Sequence, residues 1–600
     1  MAQPLKLKSG KVLDPSRSNL SPENTKSSPI WLKGYEPSIA NNSDTFVGFA
    51  EYLRWMRSPD TAEKDKTKLE ILQLAAEKAK GYKKRLEILT NRTKLIAGAK
   101  NTFNVTSTWR IRVGGQRGPE SMLLPAWDAL GIPYIPSSTL RGVARDRAIR
   151  EFMAEGMDYQ AATKAIAPYF GSIDSSTQKE DRSGKVIFLD AYPIPSDSGA
   201  LAVDLANNIW KWDGDLPKYG ASPFSFLSLV KPTLTIGIKP TQKCDDETFD
   251  RVKAWLIAGL QAGIGSQVNS GYGELLEAGA ISSEREILKK PIKFIIKGQL
   301  IHGVKLPGES VAQAEVRPIA FRAILRYWFR AFALGVLPAS DVKELEAQLF
   351  GSINPKPSYG WVSVQIANGK VDRSEPKASK DPYGLQSGTL VLRYSASAPV
   401  DRREQISQLL KTLTWLMFHL GGVGQGARRP LYSRASRKNP PWWRGSNLEL
   451  TDKDLLELSD TVEGFHKLFR INLQAFYAAL AKLRDKSLKY QSVRGDGLAE
   501  AIDLNCEILI CQGNSINNKP YALGILHLQE FKIEVWKYGK KVIDYDPELC
   551  GKMMKPSPVW ICDKGKYQVV TVFGANSGKR KQYIEKLKEE GMVTQIFLLQ

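Results

Sequence analysis

YIPSSTLRGVARDRAIR, Tyr134 to Arg150, and VRPIAFRAILRYWFR, Val316 to Arg330, state one pattern twice, about 180 residues apart. Each is an extended lead-in followed by a helical stretch with arginines one turn apart, so that Arg141 and Arg145 correspond to Arg322 and Arg326. Further matches follow in the same order. YFGSID at Tyr169 to Asp174 pairs with LFGSIN at Leu349 to Asn354, and AWLIAGLQAGIG at Ala254 to Gly265 pairs with TWLMFHLGGVG at Thr414 to Gly424. Three ordered matches point to an internal duplication, and the function is to be sought in what both copies present.

Hydrophobic periodicity fills in each copy. In the first, Asn104 to Val113 reads as a strand with Val105, Trp109, Ile111 and Val113 on one face, followed by a helix over Ser138 to Met153. Strands are predicted at Val186 to Leu189 and Leu234 to Ile238, a helix over Asp246 to Ala262 and a short strand over Tyr272 to Ala278. The second copy repeats this order through Phe294 to Ile301, Pro318 to Leu334, Trp361 to Ile366, Thr389 to Tyr394, Arg403 to Leu420 and a strand near Leu431. The order βαββαβ predicts an α+β protein with tandem ferredoxin-like, RRM-like domains and helical insertions.

The expected division is a basic arm with amphipathic helices over 1–100, two repeat domains over 101–285 and 290–445, and a helical insertion with a C-terminal α+β region over 446–600. In that last region helices are predicted at Asp454 to Leu458, Phe465 to Leu483 and Arg580 to Glu590. Strands are predicted at Tyr521 to Trp536 and as a pair within Val559 to Phe573 around a DKGK turn.

Composition narrows the partner. Lysine and arginine total 85 against 63 acidic residues, a formal charge of +22, and clustered cations gain free energy by displacing counterions from phosphates. Nucleic acid is therefore the expected partner. The N-terminus has no apolar core of the signal-peptide kind and no run of about 18 apolar residues occurs, so no membrane association and a cytoplasmic location are expected. Five cysteines without paired spacing suit a reducing compartment. Four scattered histidines outline no zinc site, and neither a metal nor another cofactor is expected.

Two motifs in each copy suit phosphates. Ser137 or Ser138 is placed to cap a helix whose N-terminal N–H groups favour an anion, with Arg141 and Arg145 alongside. In the second copy Arg322, Arg326 and Arg330 recur at four-residue intervals. The second motif is a glycine-rich loop after the second helix: GIGSQVNSGYGEL from Gly263, then GGVGQGARRPLYS from Gly421. Glycines permit positive φ and N–H concavities that hold anions. From Gly421 to Gly445 the chain carries Arg428, Arg429, Arg434, Arg437, Lys438 and Arg444 without an acidic residue, and Trp442 and Trp443 add aromatic faces on which bases could stack.

YIPSSTLRGVAR, VIFLDAYP at Val186 to Pro193 and the GSQVNSGYGE loop resemble the RAMP superfamily of CRISPR effector proteins. The first half is most similar to the sixth subunit of the type III-B, or Cmr, complex. RPIAFRAILRYWFRA, LFGSIN, GGVGQGARR and PSPVWICDKGKYQVVTVF make the second half resemble the first Cmr subunit, as in a fusion of the two. The resemblance implies ferredoxin-like domains that bind guide RNA near its 3′ end, cap a filament and help to hold target RNA. Implied partners are other Cmr-type backbone subunits, small helical subunits and, indirectly, the large Cas10-type subunit.

The expected RNA-binding set is Ser137, Ser138, Arg141, Arg145, Gly263, Gly265, Ser266, Gly271, Tyr272 and Gly273 in the first copy. In the second it is Arg317, Arg322, Arg326, Gly422, Gly424, Arg428, Arg429, Arg434 and Trp442. Family members use Pro-Gly-Ser-Ser-Leu-Lys-Gly where this chain has Pro136-Ser137-Ser138-Thr139-Leu140-Arg141-Gly142. Related subunits cut RNA with an aspartate in the loop after the first strand; Glu120 and Asp128, or Glu309 and Glu315 in the second copy, are the carboxylates there and none aligns with it. The first 300 residues lack histidine, and His302 has no partner within reach of sequence reasoning. A non-catalytic RNA-binding scaffold is therefore expected, with an endoribonuclease acting on target RNA or guide precursor as the alternative.

Overall fold

The computed structural model describes residues 64–114, 126–128, 131–172, 181–195, 201–278, 285–288, 290–306, 309, 312–353, 357–434, 436, 438–452, 459–493, 500–537, 539–552 and 555–597. The expected arm over 1–60, the helix at 454–458, Glu120, Asp174, Asn354 and Arg437 lie outside the described residues.

Two helices, α1 (Lys64–Lys78) and α2 (Lys83–Ala97), precede the first copy. Its strands are β1 (Thr102–Ser107), β2 (Arg110–Ile111), β3 (Val186–Phe188), β4 (Leu201–Asp213), β5 (Leu216–Val230), β6 (Thr233–Pro240) and β7 (Leu275–Glu277). Between them lie α3 (Ser137–Ala154), α4 (Tyr159–Ala165), α5 (Ala167–Phe170) and α6 (Asp246–Ala262). The helix α6 starts where Asp245 can accept from the Thr248 N–H at 2.7 Å, which satisfies one of the first-turn donors. The predicted strand over 104–113 breaks at residues 108 and 109, so β1 stays in the main sheet while β2 joins β5 and β4.

The second copy holds β8 (Ile292–Gly298), α7 (Pro318–Leu334), α8 (Ala339–Phe350), β9 (Val362–Arg373), β10 (Gly384–Tyr394) and α9 (Arg403–Leu420). The two-residue strands β11 (Tyr432–Ser433) and β12 (Trp443–Arg444) and the strand β13 (Ser446–Leu450) follow. The strand expected near Leu431 belongs to this small ribbon; the fourth strand of the sheet is β13, after the insertion. The second sheet thus runs past residue 445 to Leu450.

Counting β1, β3, β6 and β7 as one to four, the first sheet has the order 2-3-1-4; counting β8, β9, β10 and β13 likewise, the second has 4-1-3-2, the same order read from the other edge. All pairings in both sheets are antiparallel. In each, a helix follows strands one and three. Phe321, Leu325, Trp328 and Phe332 form the buried stripe of α7, and Val252, Leu256 and Leu260 that of α6.

In the first copy α2 packs on the opposite face of the sheet. Gly237 of β6 is required there, because a Cβ would lie 2.7 Å from Thr93 Cγ2. The sheet face that an RRM-like reading leaves open to RNA is thus covered in copy one by helix.

The long hairpin β4–β5 was not foreseen. It turns at Gly214-Asp215 between the paired Asp213 and Leu216, with Gly214 at φ +57°, a glycine at the first central position of a two-residue hairpin turn.

The C-terminal region contains α10 (Val462–Arg484), β14 (Glu507–Gln512), α11 (Tyr521–Leu526), β15 (Lys532–Lys537), β16 (Lys540–Tyr545), α12 (Pro547–Cys550), β17 (Val559–Asp563), β18 (Gln568–Val572), α13 (Gly578–Glu590) and β19 (Met592–Phe597). Its four-stranded sheet has the order β17-β18-β14-β19. The predicted strand over 521–536 is instead the helix α11 followed by β15: Tyr521, Leu523 and Ile525, which alternate in sequence, are all buried along with Ala522 and Leu526. The core of copy two is continuous with α10 and one face of this sheet through Phe465, Phe476 and Trp560. All five cysteines are free thiols.

Candidate nucleic-acid interface

The helix starts come first. Pro136, not a serine, is the N-cap of α3, and no side chain caps it. The Ser137 N–H donates to Asp190 Oδ1 at 2.7 Å, so a carboxylate of the protein already sits where a phosphate was expected. Ser138 is exposed. Arg141, also exposed, turns its guanidinium back to donate to the Phe170 carbonyl at the end of α5. Arg322 donates in the same way to the Phe350 carbonyl at the end of α8. The matched arginines are thus braces that tie the first helix of each copy to its Phe-Gly-Ser turn. Arg145, further along α3, is half-buried.

The first glycine loop lies between the copies rather than on the surface. Gly263, Gly265, Gly271 and Gly273 all have positive φ. What they permit is close packing: a Cβ on Gly271 would stand 3.0 Å from Pro318 Cγ and from the Val364 carbonyl in copy two. Ser266 Oγ accepts from Arg112 Nε at 2.9 Å. Tyr272 is 1% exposed, donates to Asp204 Oδ2 at 2.7 Å and meets Trp109 edge-on at 4.6 Å. It offers no ring for a base.

Three charge clusters absorb most of the predicted arginines. In the first, Arg317 is 3% exposed and donates to Asp204 Oδ1 at 2.7 Å and Glu315 Oε2 at 2.6 Å, while Arg110 Nε donates to Glu315 Oε1 at 2.9 Å. Burial pushes the Asp204 carboxyl up, but Arg317 and Arg110 outweigh it and hold it below the usual carboxylate range.

In the second cluster, Arg326 and Arg330 both donate to Glu346 Oε1, at 2.8 and 2.9 Å. Arg330 also stacks on Trp210 at 3.5 Å, and Trp212 Nε1 donates to Glu346 Oε2 at 3.0 Å, so the tip of the β4–β5 hairpin clamps α7. Arg322, nearby, donates to Ser270 Oγ at 3.2 Å; burial and then Arg326 push its pKa down to about 9.

In the third cluster, Arg428 forks onto Glu500, with Nη2 to Oε2 at 3.1 Å, and lies 4.8 Å over Trp560. Arg429 donates to Ser557 Oγ at 2.7 Å and to the Val559 carbonyl at 2.5 Å. Arg317, Arg322, Arg326, Arg428 and Arg429, predicted to face phosphates, are spent on protein groups, because each meets a carboxylate, hydroxyl or carbonyl from a distant segment. Gly422 is buried against Ser446, whereas Gly424 is exposed with φ +79°.

The hairpin between Leu431 and Gly445 remains at the surface. Tyr432 pairs with Arg444 and Ser433 with Trp443. Trp443 is anchored, donating from Nε1 to the Asp381 carbonyl at 2.9 Å and meeting Tyr383 edge-on. Lys438 is exposed, and Arg434, Trp442 and Arg444 are half-buried. The Trp442 Nε1 finds no hydrogen-bond partner.

Among the candidate carboxylates, Asp128 Oδ1 accepts the Ile132 N–H at 3.0 Å and Glu315 is held by two arginines. His302 does have a neighbour, Glu375, with Nε2 to Oε1 at 3.4 Å. Asp204, Trp210, Glu346 and Glu500 organise the clusters and were missed. Only the hairpin carried a readable signal, the Trp-x-Trp alternation before Asp213-Gly214. Among the described residues no group of three or more histidine, cysteine or acidic side chains could hold a metal ion, and no helix is long and apolar enough to cross a membrane.

Residues 102–277, the first copy, match the model of the RAMP superfamily. Within that class, a curated relative is the CRISPR system Cmr subunit Cmr6 of Pyrococcus furiosus, 25% identical over 288 residues, covering 38% of this chain and 81% of that protein. Among solved structures, the chain is similar to a chain of the type III-B Cmr-beta bound to cognate target RNA, by cryo-electron microscopy. That likeness has 18% identity, covers 36% of this chain and 75% of that one, and has a TM-score of 0.28.

Proposed function

We propose that this chain is a non-catalytic, RNA-binding subunit of a type III-B CRISPR effector complex. It joins two RAMP-type ferredoxin-like modules, the first like the sixth Cmr subunit and the second like the first, and helps to hold guide RNA near its 3′ end together with target RNA. One observation carries this reading. The second copy, outside the segment matched by the family model, repeats the strand order and the arginine-to-Phe-carbonyl brace of the first.

RNA as partner is supported by the +22 charge and by the surface hairpin, where Arg434, Lys438 and Arg444 flank Trp442. The test is an RNA titration over a salt series. Replacing Arg434, Lys438 and Arg444 together by alanine should weaken binding and flatten the log–log salt slope by about 2, near 0.7 for each lost contact to a single strand. An unchanged slope would move the RNA elsewhere.

The endoribonuclease reading is favoured by one contact, His302 to Glu375, which could orient an imidazole as a general base. Loss of a specific cut in labelled complementary RNA upon His302→Ala would replace the scaffold reading with that one.

A further inference from the structure

The ribbon β15–β16 forms a two-stranded sheet of its own. Its register pairs Lys532 with Tyr545, Glu534 with Ile543 and Trp536 with Lys541, and residues opposed in an antiparallel ladder share a face. The opposite face carries Ile533 and Val535, both half-buried. The first face is turned outward: Trp536 is 71% and Ile543 60% exposed. Exposed apolar side chains that cluster, rather than scatter singly, mark interaction sites.

A relay of rings joins this outward face to the basic hairpin. Tyr545 lies 4.5 Å from the His527 ring, and His527 lies 6.0 Å from Tyr432, the residue that pairs with Arg444. Cations line the same path. Lys532 stands 5.7 Å over Tyr545, and Lys541 meets Glu534, the one acid of that face, at 3.2 Å. The pair is exposed and contributes little to stability, which leaves its ammonium available to a phosphate. Lys519, Arg429 and Lys532 bear together on His527: burial first, then these three charges, push its pKa down to about 3. Its buried Nδ1 finds no hydrogen-bond partner among the described residues. A site that crowds cations around a neutral ring attracts an anion.

We propose that the path from Tyr432 over His527 and Tyr545 to Trp536 and Lys541 is a track for single-stranded RNA, which carries the strand held by the basic hairpin onto the C-terminal region. This rests on the RNA-binding reading and adds a second contact area to it. Interleaved rings and cations suit a single strand, whose bases stack on aromatic faces while its phosphates meet ammonium groups. A duplex fits less well, because its bases are already stacked on one another and offer these rings no face. A protein partner would have to bury Lys532 and Lys541 and bring carboxylates to meet both. Recognition along the track is insensitive to sequence, since every base has a stackable face.

The experiment titrates the full chain into a fluorescein-labelled oligouridylate of about 20 nucleotides, longer than the usual site of a single-strand groove. Trp536→Ala combined with Lys541→Ala, both at exposed positions, should weaken binding about tenfold, flatten the log–log salt slope by about 0.7 and keep the melting temperature. Unchanged binding by this variant would overturn the track. The alanine variant of Arg434, Lys438 and Arg444 separates the two readings: if it alone weakens binding, RNA stays on the hairpin and only the track fails, and if neither variant does, both readings fail. A native complex that loses a protein subunit on Trp536→Ala with Lys541→Ala, while RNA affinity holds, would make the ribbon a protein surface and also overturn the track. An RNA duplex of the same length that binds as tightly and loses as much in the variant would count against the single strand.

Discussion

At the scale of single residues, Asp204 joins the two copies. It has no exposed surface, and its carboxylate meets Arg317 and Tyr272 directly with Arg110 at 3.7 Å. Removing its charge would leave Arg317 buried beside Glu315 alone, and breaking a buried pair in this way costs about 3–5 kcal/mol. Asp204→Asn should lower stability by an amount of that order in a denaturant titration while leaving secondary structure intact. Because the folded carboxyl is held below its unfolded value of about 4, its contribution is present above that pH and is lost as pH falls through the lower folded value. The wild type should therefore lose stability in strong acid with a component that Asp204→Asn lacks, measurable by melting at stepped pH. Which arginines turn inward was not legible in sequence, because Arg317 finds Asp204 across 113 residues and Arg428 finds Glu500 across 72.

At the scale of elements, the Phe-Gly-Ser turns show why the motif recurs. Gly171 and Gly351 have φ of +76° and +78°, and the backbone of a following segment crosses each where a Cβ would be. Gly171→Ala and Gly351→Ala should each destabilise by about 1–3 kcal/mol, from strain at positive φ and loss of that close approach. Gly142 differs: it is helical with open space around it, and Gly142→Ala should stabilise the isolated chain by about 0.5–1 kcal/mol. Thermal melts of the three variants check both signs. Helices bounded by local signals, α6, α7 and α9, were readable to the residue, since capping and 3.6-residue periodicity are local. The fourth strand of copy two was misplaced because a basic hairpin is inserted before it, and α11 was misread because every residue of a buried helix can be apolar.

At the scale of the whole molecule, the C-terminal region completes copy two rather than standing beside it. Trp560 packs on Tyr327 and Trp328, and its Nε1 donates to the Tyr327 hydroxyl at 2.9 Å. A chain ending at Leu450 would expose those rings and strip Arg428 of Glu500, so it should be insoluble or lose cooperative melting. A soluble fragment melting like the full chain would show that copy two is self-sufficient. The sequence by itself determined the repeated motifs, the helices α6, α7 and α9, the glycine-rich loops and the basic balance, because periodicity, turn chemistry and charge are written locally. Tertiary structure alone decided that most of the conspicuous arginines hold protein to protein. A guanidinium reads identically whether it awaits a phosphate or a carboxylate, and only the folded chain brings Asp204, Glu346 and Glu500 to it.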